Sequence, residues 1–291
     1  MKYAWIREHQ KEFPVVVLCD VLEVSSSGYY AWLHRKPEVD KSRTEQMVQA
    51  VTASYLQSNR VYGYRKVYKD LRALSIAGCS ETVRRVMKRL GFSAHIKRKY
   101  VVTTDSDHFL AVADNLLDRD FAATAPNQKW VADITYVPTQ EGPLYLAAVL
   151  DLFGRRIVGW AMSEHIDETL VSSALQMAIR RRHPQPGLLH HSDRGSQYAS
   201  DGYQDILHQV SMVCSMSRKG NCWDNAVMER FFGSLKREWI KGKIYPTRED
   251  AKKDLFNYVE WFYNTQRRHA TLDYQTPAAV EERYRKEHQV A

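Results

Sequence analysis

Apolar residues recur at helical spacing through the first ninety positions and at strand spacing from about residue 128. Phe13 to Leu22 is apolar, with Pro14 at a first helical position. Ser25, Ser26 and Ser27 break the pattern and cap a second helix running through Trp32 and Leu33. Helix, short turn, helix is the outline of a helix-turn-helix. The outline recurs at 64–91. Tyr64, Val67, Tyr68, Leu71 and Leu74 share one face of a helix. Gly78 and Ser80 make the break, with Ser80 as the N-cap. Val83, Val86, Met87 and Leu90 form the next buried face, and Gly91 closes it. The exposed side of that last helix carries Arg84, Arg85, Lys88 and Arg89. On a lone helix this is a solvated basic face. On the second helix of a helix-turn-helix it is the surface that enters a DNA major groove.

Residues 92–127 read as a linker, basic from His95 to Lys99 and polar from Thr103 to His108. Beyond them the pattern predicts strands at Trp130–Val137, Leu144–Leu152 and Arg156–Met162. The second is apolar almost throughout and so buried on both faces. A helix over Asp167–Arg182, a strand over Leu188–Ser192, a helix over Tyr203–His208 and a strand over Val210–Ser215 follow. Two long helices, Asp224–Lys241 and Thr247–Arg268, complete the pattern. Three antiparallel strands followed by alternating helices and strands predict an α/β fold, a mixed five-stranded sheet with helices on both faces. The chain divides into a helix-turn-helix segment (1–40), a second helix-turn-helix domain (41–100), a linker (101–127), a core (128–245) and a basic helical tail (246–291).

Composition narrows the function classes. The 291 residues are 44% apolar and 26% charged, enough for a sizeable core. The 42 basic and 34 acidic residues leave a net charge of +8, which favours a polyanionic partner but does not fix a chemistry. Cys19, Cys79, Cys214 and Cys222 form no C-x-x-C pair and no disulfide framework, so they read as reduced thiols of a cytoplasmic protein. The start lacks the apolar stretch of a signal peptide, and Leu144–Leu150 is far too short to span a membrane.

Three acidic residues stand apart from those on amphipathic helices and turns. Asp133 falls inside a strand, where Asp is disfavoured. Asp193 ends a strand, at the edge where ligands gather in mixed sheets. Glu229 lies on a helix and shares a face with Gly233 and Lys236. The glycine lets a polyanion approach, and the lysine supplies a positive contact. Two carboxylates ~4 Å apart cost up to ~4 kcal/mol at an effective dielectric near 20. Three converge as ions only around cations. Oxygen ligands suit Mg²⁺ or Mn²⁺, and a pair of such ions can drive in-line displacement at phosphorus. Spacing alone leaves open three unrelated acids.

The words around those acids carry a resemblance. They are Trp130-Val131-Ala132-Asp133-Ile134-Thr135-Tyr136, His191-Ser192-Asp193-Arg194-Gly195-Ser196-Gln197-Tyr198, and the run from Asn225 to Lys236. Asp193 and Glu229 have 35 residues between them (229 − 193 − 1). With Ser27-Gly28-Tyr29-Tyr30-Ala31-Trp32 and the tail Tyr263-Asn264-Thr265-Gln266-Arg267-Arg268-His269, the chain resembles the DDE transposase and integrase family. Within it, the chain is similar to the second-frame (OrfB) transposase of frameshifting bacterial insertion sequences. The resemblance covers nearly the whole chain.

It implies an RNase H-like catalytic core whose metal-binding triad is Asp133, Asp193 and Glu229. It also implies hydrolysis that exposes a 3′-hydroxyl at a transposon end, followed by attack of that hydroxyl on DNA. The expected cofactors are two Mg²⁺ or Mn²⁺ ions. Retroviral integrases carry a His-His-Cys-Cys zinc module. Cys19 and Cys79 lack that arrangement, so no zinc is expected. The expected partners are double-stranded DNA at transposon ends and target, further copies of the chain, and a first-frame (OrfA) protein or fusion. The expected place is the bacterial cytoplasm, on the nucleoid. Arg267 and Arg268 are read as DNA-backbone contacts beside Lys236. Gln197 and Tyr198 are read as substrate-positioning residues, and His191 as structural or near the DNA. Asn225 is a helix cap or a site contact. Asp151 is read as a turn residue, and Trp223 and Trp239 as core. Two other readings fit the same residues: an RNase H-like nuclease that only hydrolyses, and a DNA-binding regulator with a silent nuclease fold.

Overall fold

The structure, a computed structural model, describes residues 2–34, 37–94, 110–218 and 222–288, without the side chains of 37–43, 222 and 223. The basic stretch His95–Lys99, the polar stretch Thr103–His108 and the Trp223 ring lie outside the described residues.

Three short helices open the chain: α1 (Lys2–His9), α2 (Val15–Val21) and α3 (Ser26–Leu33). Pro14 is the N-cap of α2 rather than its first helical residue, with extended backbone at ψ 134°. Ser25 caps α3 by accepting from the Gly28 amide at 3.3 Å. Ile6, Leu18, Cys19 and Tyr29 bury together at the centre of this unit.

A second helical unit holds α4 (Pro37–Gln57), α5 (Tyr64–Ala73) and α6 (Ser80–Arg89). Val67 and Leu71 of α5 and Val83, Val86 and Met87 of α6 close on Met47, Val51 and Tyr55 of α4. The helix-turn-helix therefore rests on a third helix that sequence reading missed. Its signal was present in the four-residue spacing of Met47, Val51 and Tyr55. Cys79, not Ser80, is the N-cap of α6, and Gly91 follows it at φ 69°.

The sheet contains β1 (Lys129–Thr139), β2 (Gly142–Asp151), β3 (Arg156–Ser163), β4 (Leu189–Ser192) and β5 (Val213–Met216). Its order is β3-β2-β1-β4-β5, antiparallel among the first three strands of the chain and parallel from β1 through β4 to β5. Gly142 makes the β1–β2 turn at φ 108°, which only glycine adopts without strain. Between the strands lie α7 (Glu168–Arg182), the short α8 (Ser196–Ala199) and α9 (Asp201–Gln209).

Strand alternation sorts the core onto two faces. Trp130, Ala132, Val149 and Val158 meet Leu170, Ala174 and Leu175 of α7 and Tyr203 and Leu207 of α9. Gly159 lets α7 approach closely, since a Cβ there would come within 2.7 Å of the Ala178 amide. On the opposite face, Val131, Val137, Leu144, Leu146 and Leu150 meet α10 (Ala226–Leu235), which runs on as π-helix Lys236–Ile240. The same layer receives α11 (Arg248–Phe256) and its π-helical continuation Asn257–Gln266, through Leu255, Tyr258, Val259 and Phe262. Residues beyond 245 thus build part of the core layer.

The last helix, α12 (Pro277–His288), is held by charge. Glu281 is 3% exposed and accepts from Arg156 Nη1 at 2.8 Å and from Arg182 Nη1 and Nη2 at 2.9 and 2.8 Å. Asp151 accepts from the amides of Phe153 and Asn127 at 2.9 and 2.8 Å, so turn geometry accounts for it. Trp239 packs against the α10 layer as expected of a core residue. No helix among the described residues is long and apolar enough to cross a membrane.

Candidate active site

Asp133 is central to β1, on the same face as Val131 and Val137, toward α10. β1 and β4 are parallel with Val131 opposite His191, an offset of 60 residues (191 − 131). Two residues further along each strand, the same offset matches Asp133 with Asp193, just past the end of β4. Asp133 accepts from the Ile134 amide at 2.7 Å, and Asp193 from the Gly195 amide at 2.9 Å. The turn after Asp193 is thereby fixed by the side chain it presents.

Glu229 reaches the same place from α10. Asn225, one turn earlier, donates from Nδ2 to the Ala132 carbonyl at 3.0 Å. That bond ties the start of α10 to the residue preceding Asp133. Asn225 occupies the N-cap position but makes no capping bond, so its side chain serves the strand instead. Its Oδ1 is buried with no hydrogen-bond partner among the described residues.

The electrostatics follow the geometry. Burial, then the charges of Asp193 and Glu229, push the Asp133 carboxyl well above the usual carboxylate range, against the Ile134 amide and Lys236. Burial raises Glu229. Burial lowers the Lys236 ammonium while Asp133 supports it, and Lys236 Nζ sits 4.9 Å from the centre of the Tyr136 ring. Among the described residues no three Asp, Glu, His or Cys side chains converge closely enough to enclose an ion. Asp193 and Glu229 act on Asp133 through charge, and the set is all-oxygen and anionic, which suits hard divalent cations.

The remaining sequence candidates separate. Arg84, Arg85, Lys88 and Arg89 are all exposed on the face of α6 opposite its core contacts. Arg84 is held by Glu81 through two bonds of 2.8 and 2.7 Å. Gln197 is partly exposed near Asp193. Tyr198 is buried in the α7–α9 core with its hydroxyl unpartnered among the described residues, and burial, then Tyr203, Asp133 and Asp193, push that hydroxyl up. His191 is fully buried, with ring nitrogens bonded to Ser215 and Ser217 at 2.8 and 3.1 Å. Burial pushes it down to about 4, and it joins β4 to β5.

Arg267 and Arg268 correct an expectation. Arg267 is 9% exposed and grips Glu238 through Nε and Nη2 at 2.6 and 2.7 Å, with Nη2 also 3.1 Å from Ser234 Oγ. Arg268 pairs with Asp70, and its amide donates to Tyr62 Oη at 2.8 Å. Both arginines have intramolecular partners, which join the tail to α10 and α5. No local pattern signals those partners, which lie 29 and 198 residues away (267 − 238; 268 − 70).

Sequence reading also missed Arg237, which crosses Gly233: a Cβ there would come within 2.8 Å of Arg237 Nη1. It missed Asp224 as well. This fully buried carboxylate accepts from Asn115 Nδ2, Arg119 Nε and the Arg218 amide at 2.9, 3.0 and 3.0 Å. Burial would raise it, but the Arg218 amide and Arg119 hold it below the usual range. It fastens the segment entering α10.

A mixed sheet presenting paired aspartates beside a helical glutamate is the arrangement of an integrase-type core. Residues 123–222 and 211–277 each match an integrase core domain family, and 42–100 match an HTH-like domain family. The 31 kDa protein of insertion element IS600 from Shigella sonnei is 44% identical over 274 residues, covering 94% of this chain and all of that one. The InsF transposase of insertion sequence IS3A from Escherichia coli K12 is 42% identical over 274 residues, covering 93% of this chain and 94% of that one. The chain belongs to this family, the DDE-type transposases of insertion sequences. Among solved structures, a chain of the simian T-cell lymphotropic virus intasome overlays with a TM-score of 0.46 at 17% identity, over 73% of each chain.

Proposed function

We propose that this transposase cuts DNA at the ends of its element and joins the exposed 3′-hydroxyl to a second phosphodiester, using Asp133, Asp193 and Glu229. The observation that carries the reading is the β1–β4 register that sets Asp133 beside Asp193, with the charges of Asp193 and Glu229 both acting on the Asp133 carboxyl. Such a group is a poor isolated acid but a good ligand, because a bound cation relieves its burial and its neighbours at once. Asp133, Asp193 and Glu229 would hold Mg²⁺ or Mn²⁺, two ions in this reading. When bound, the ions supply charge stabilisation for displacement at phosphorus.

The chain's own residues do the rest. Ile134 and Gly195 amides orient the two aspartates. Asn225 fixes the distance of α10 from β1. Lys236 places a positive charge on the same helix face as Glu229, where a phosphate would lie. Arg237 on the same side would have to leave Gly233 for DNA to approach that face. The exposed basic face of α6 would bind the duplex, Lys88 and Arg89 through free charge and Arg84 and Arg85 beside Glu81. Two ends must meet for joining, so the working form would be a multimer on DNA, with or without a first-frame partner. A bacterial nucleoid is the expected setting.

The test is incubation of purified protein with a donor carrying both native ends and Mg²⁺, with cut and joined strands mapped. Joined products with 3′ ends at the element boundary support the proposal. Cleavage without any joined product would favour a hydrolysis-only nuclease.

A further inference from the structure

The Arg267-Arg268-His269 run has no part in the catalytic chemistry, yet it forms one wall of a cavity of about 300 Å³. Lys66 of α5, Arg155 of the β2–β3 hairpin and Arg230 of α10 form the other walls. Arg230 and Ser234 lie on a different face of α10 from Glu229, Gly233 and Lys236, at 100° per residue. This is therefore a site separate from the carboxylates. Among the described residues no acidic side chain lines it.

The cations of this cavity are unequally answered. Arg267 has Glu238 and Arg268 has Asp70. Among the described residues, no carboxylate stands within ion-pair distance of Lys66, Arg155 or Arg230. Arg155 Nη2 donates to the Phe121 carbonyl at 3.2 Å, but its Nη1 is buried without an acceptor. Such an orphan donor is costly unless something fills its place. The groups also strain one another. Burial and then Arg267 push the Lys66 ammonium down to about 8. Burial, with Arg267, Lys66 and Arg155, pushes His269 down to about 2, so it stays neutral.

This is the inverse of the carboxylate cluster. Where three acids call for a cation, the half-buried Lys66 and Arg155 and the exposed Arg230, with no acidic side chain on the cavity wall, call for an anion with several acceptor oxygens. Arginine forks match the oxygens of a phosphate group in geometry as well as charge. We propose that this cavity binds a phosphate group, held by Lys66, Arg155 and Arg230. The group is either a backbone phosphate of DNA or a free phosphate, since both present the same oxygens. The walls come from α5, the hairpin, α10 and the tail, so the bound group would also brace the helix-turn-helix unit against the core. The proposal is independent of the metal reading of the triad.

Thermal melting and calorimetric titration with inorganic phosphate, without divalent metal and against chloride at equal ionic strength, test it. A phosphate-specific rise of about 5 °C near saturation is expected. Affinity should fall at least about tenfold in Lys66→Gln, Arg155→Gln and Arg230→Gln, each first melted in chloride to establish folding. If Arg155→Gln does not fold, the other two carry the test. A short duplex that displaces phosphate identifies the DNA backbone as the source, and one that does not identifies free phosphate. A wild-type protein indifferent to phosphate, or folded variants that bind it equally well, overturns the proposal.

Discussion

Asp133 on β1 and Asp193 just past the end of β4 continue the register of the paired Val131 and His191, 60 residues apart in both cases. Parallel pairing brings side chains of equal register to the same face, so the two carboxylates cannot avoid each other. Glu229, brought alongside by the Asn225–Ala132 bond, completes the crowding.

That crowding has a signature in stability. The folded-state pKa of Asp133 is raised, so its favourable contribution is full below about pH 4 and is lost as pH rises through the raised value. At neutral pH without metal the buried, crowded carboxyl is therefore a cost to the fold. Asp133→Asn should therefore melt higher than wild type in metal-free buffer. Mg²⁺ should stabilise the wild type and leave the variant nearly unmoved. A variant that melts lower and still responds fully to Mg²⁺ would count against a cation site at Asp133.

His190 gives an opposite pH effect. It is fully buried, bonded to Tyr203 Oη at 3.1 Å, and burial pushes it down to about 3. Its contribution is full above about pH 6.5 and is lost as pH falls toward the folded value, at about 1.4 kcal/mol per pH unit. His190→Gln should flatten the fall in melting temperature between about pH 6.5 and about pH 4.5. An unchanged slope would show that His190 is not buried in the neutral form.

Arg267 and the α6 arginines should behave differently. Arg267→Ala leaves Glu238 buried and unpaired, which costs roughly 3–5 kcal/mol of stability. Combined replacement of Arg85, Lys88 and Arg89 by Gln should leave the melting temperature within about 0.5 kcal/mol of wild type. It should also weaken DNA binding and reduce the salt slope by about 0.9 for each phosphate no longer neutralised. Equal salt slopes for that triple variant and the wild type would remove α6 as a DNA-binding face.

Asn225→Ala should act on chemistry more than on binding. Without the bond to Ala132, α10 is no longer fixed against β1, and Glu229 loses its placement. Strand joining should fall about a hundredfold, with half-maximal rate at higher Mg²⁺ and unchanged affinity for DNA. A variant with normal Mg²⁺ dependence would make Asn225 a purely structural residue.

Much of this was legible in the sequence because local pattern decides it. The strand alternation around Asp133, the Ser25 cap and the basic face of α6 all depend on near neighbours. The pattern placed Asp133 in a strand and Asp193 at a strand end, where the sheet has them. What sequence could not give are partners set by the fold. Arg267 looked like an exposed basic residue until the π-helical turn of 257–266 carried it to Glu238. Tyr198 follows the Asp193 turn in sequence, yet α8 turns its ring into the core. Helix α4 was missed because its apolar positions Met47, Val51 and Tyr55 are sparse among polar residues.

The most direct test of the central claim compares wild type with Asp133→Asn on a donor bearing both element ends, with Mg²⁺, scoring DNA binding and strand joining in the same samples. The expected result is retained binding with joining reduced by at least about a hundredfold, some 3 kcal/mol of transition-state stabilisation. Joining at the wild-type rate by a folded Asp133→Asn protein would contradict the assignment of Asp133, Asp193 and Glu229 as the catalytic centre.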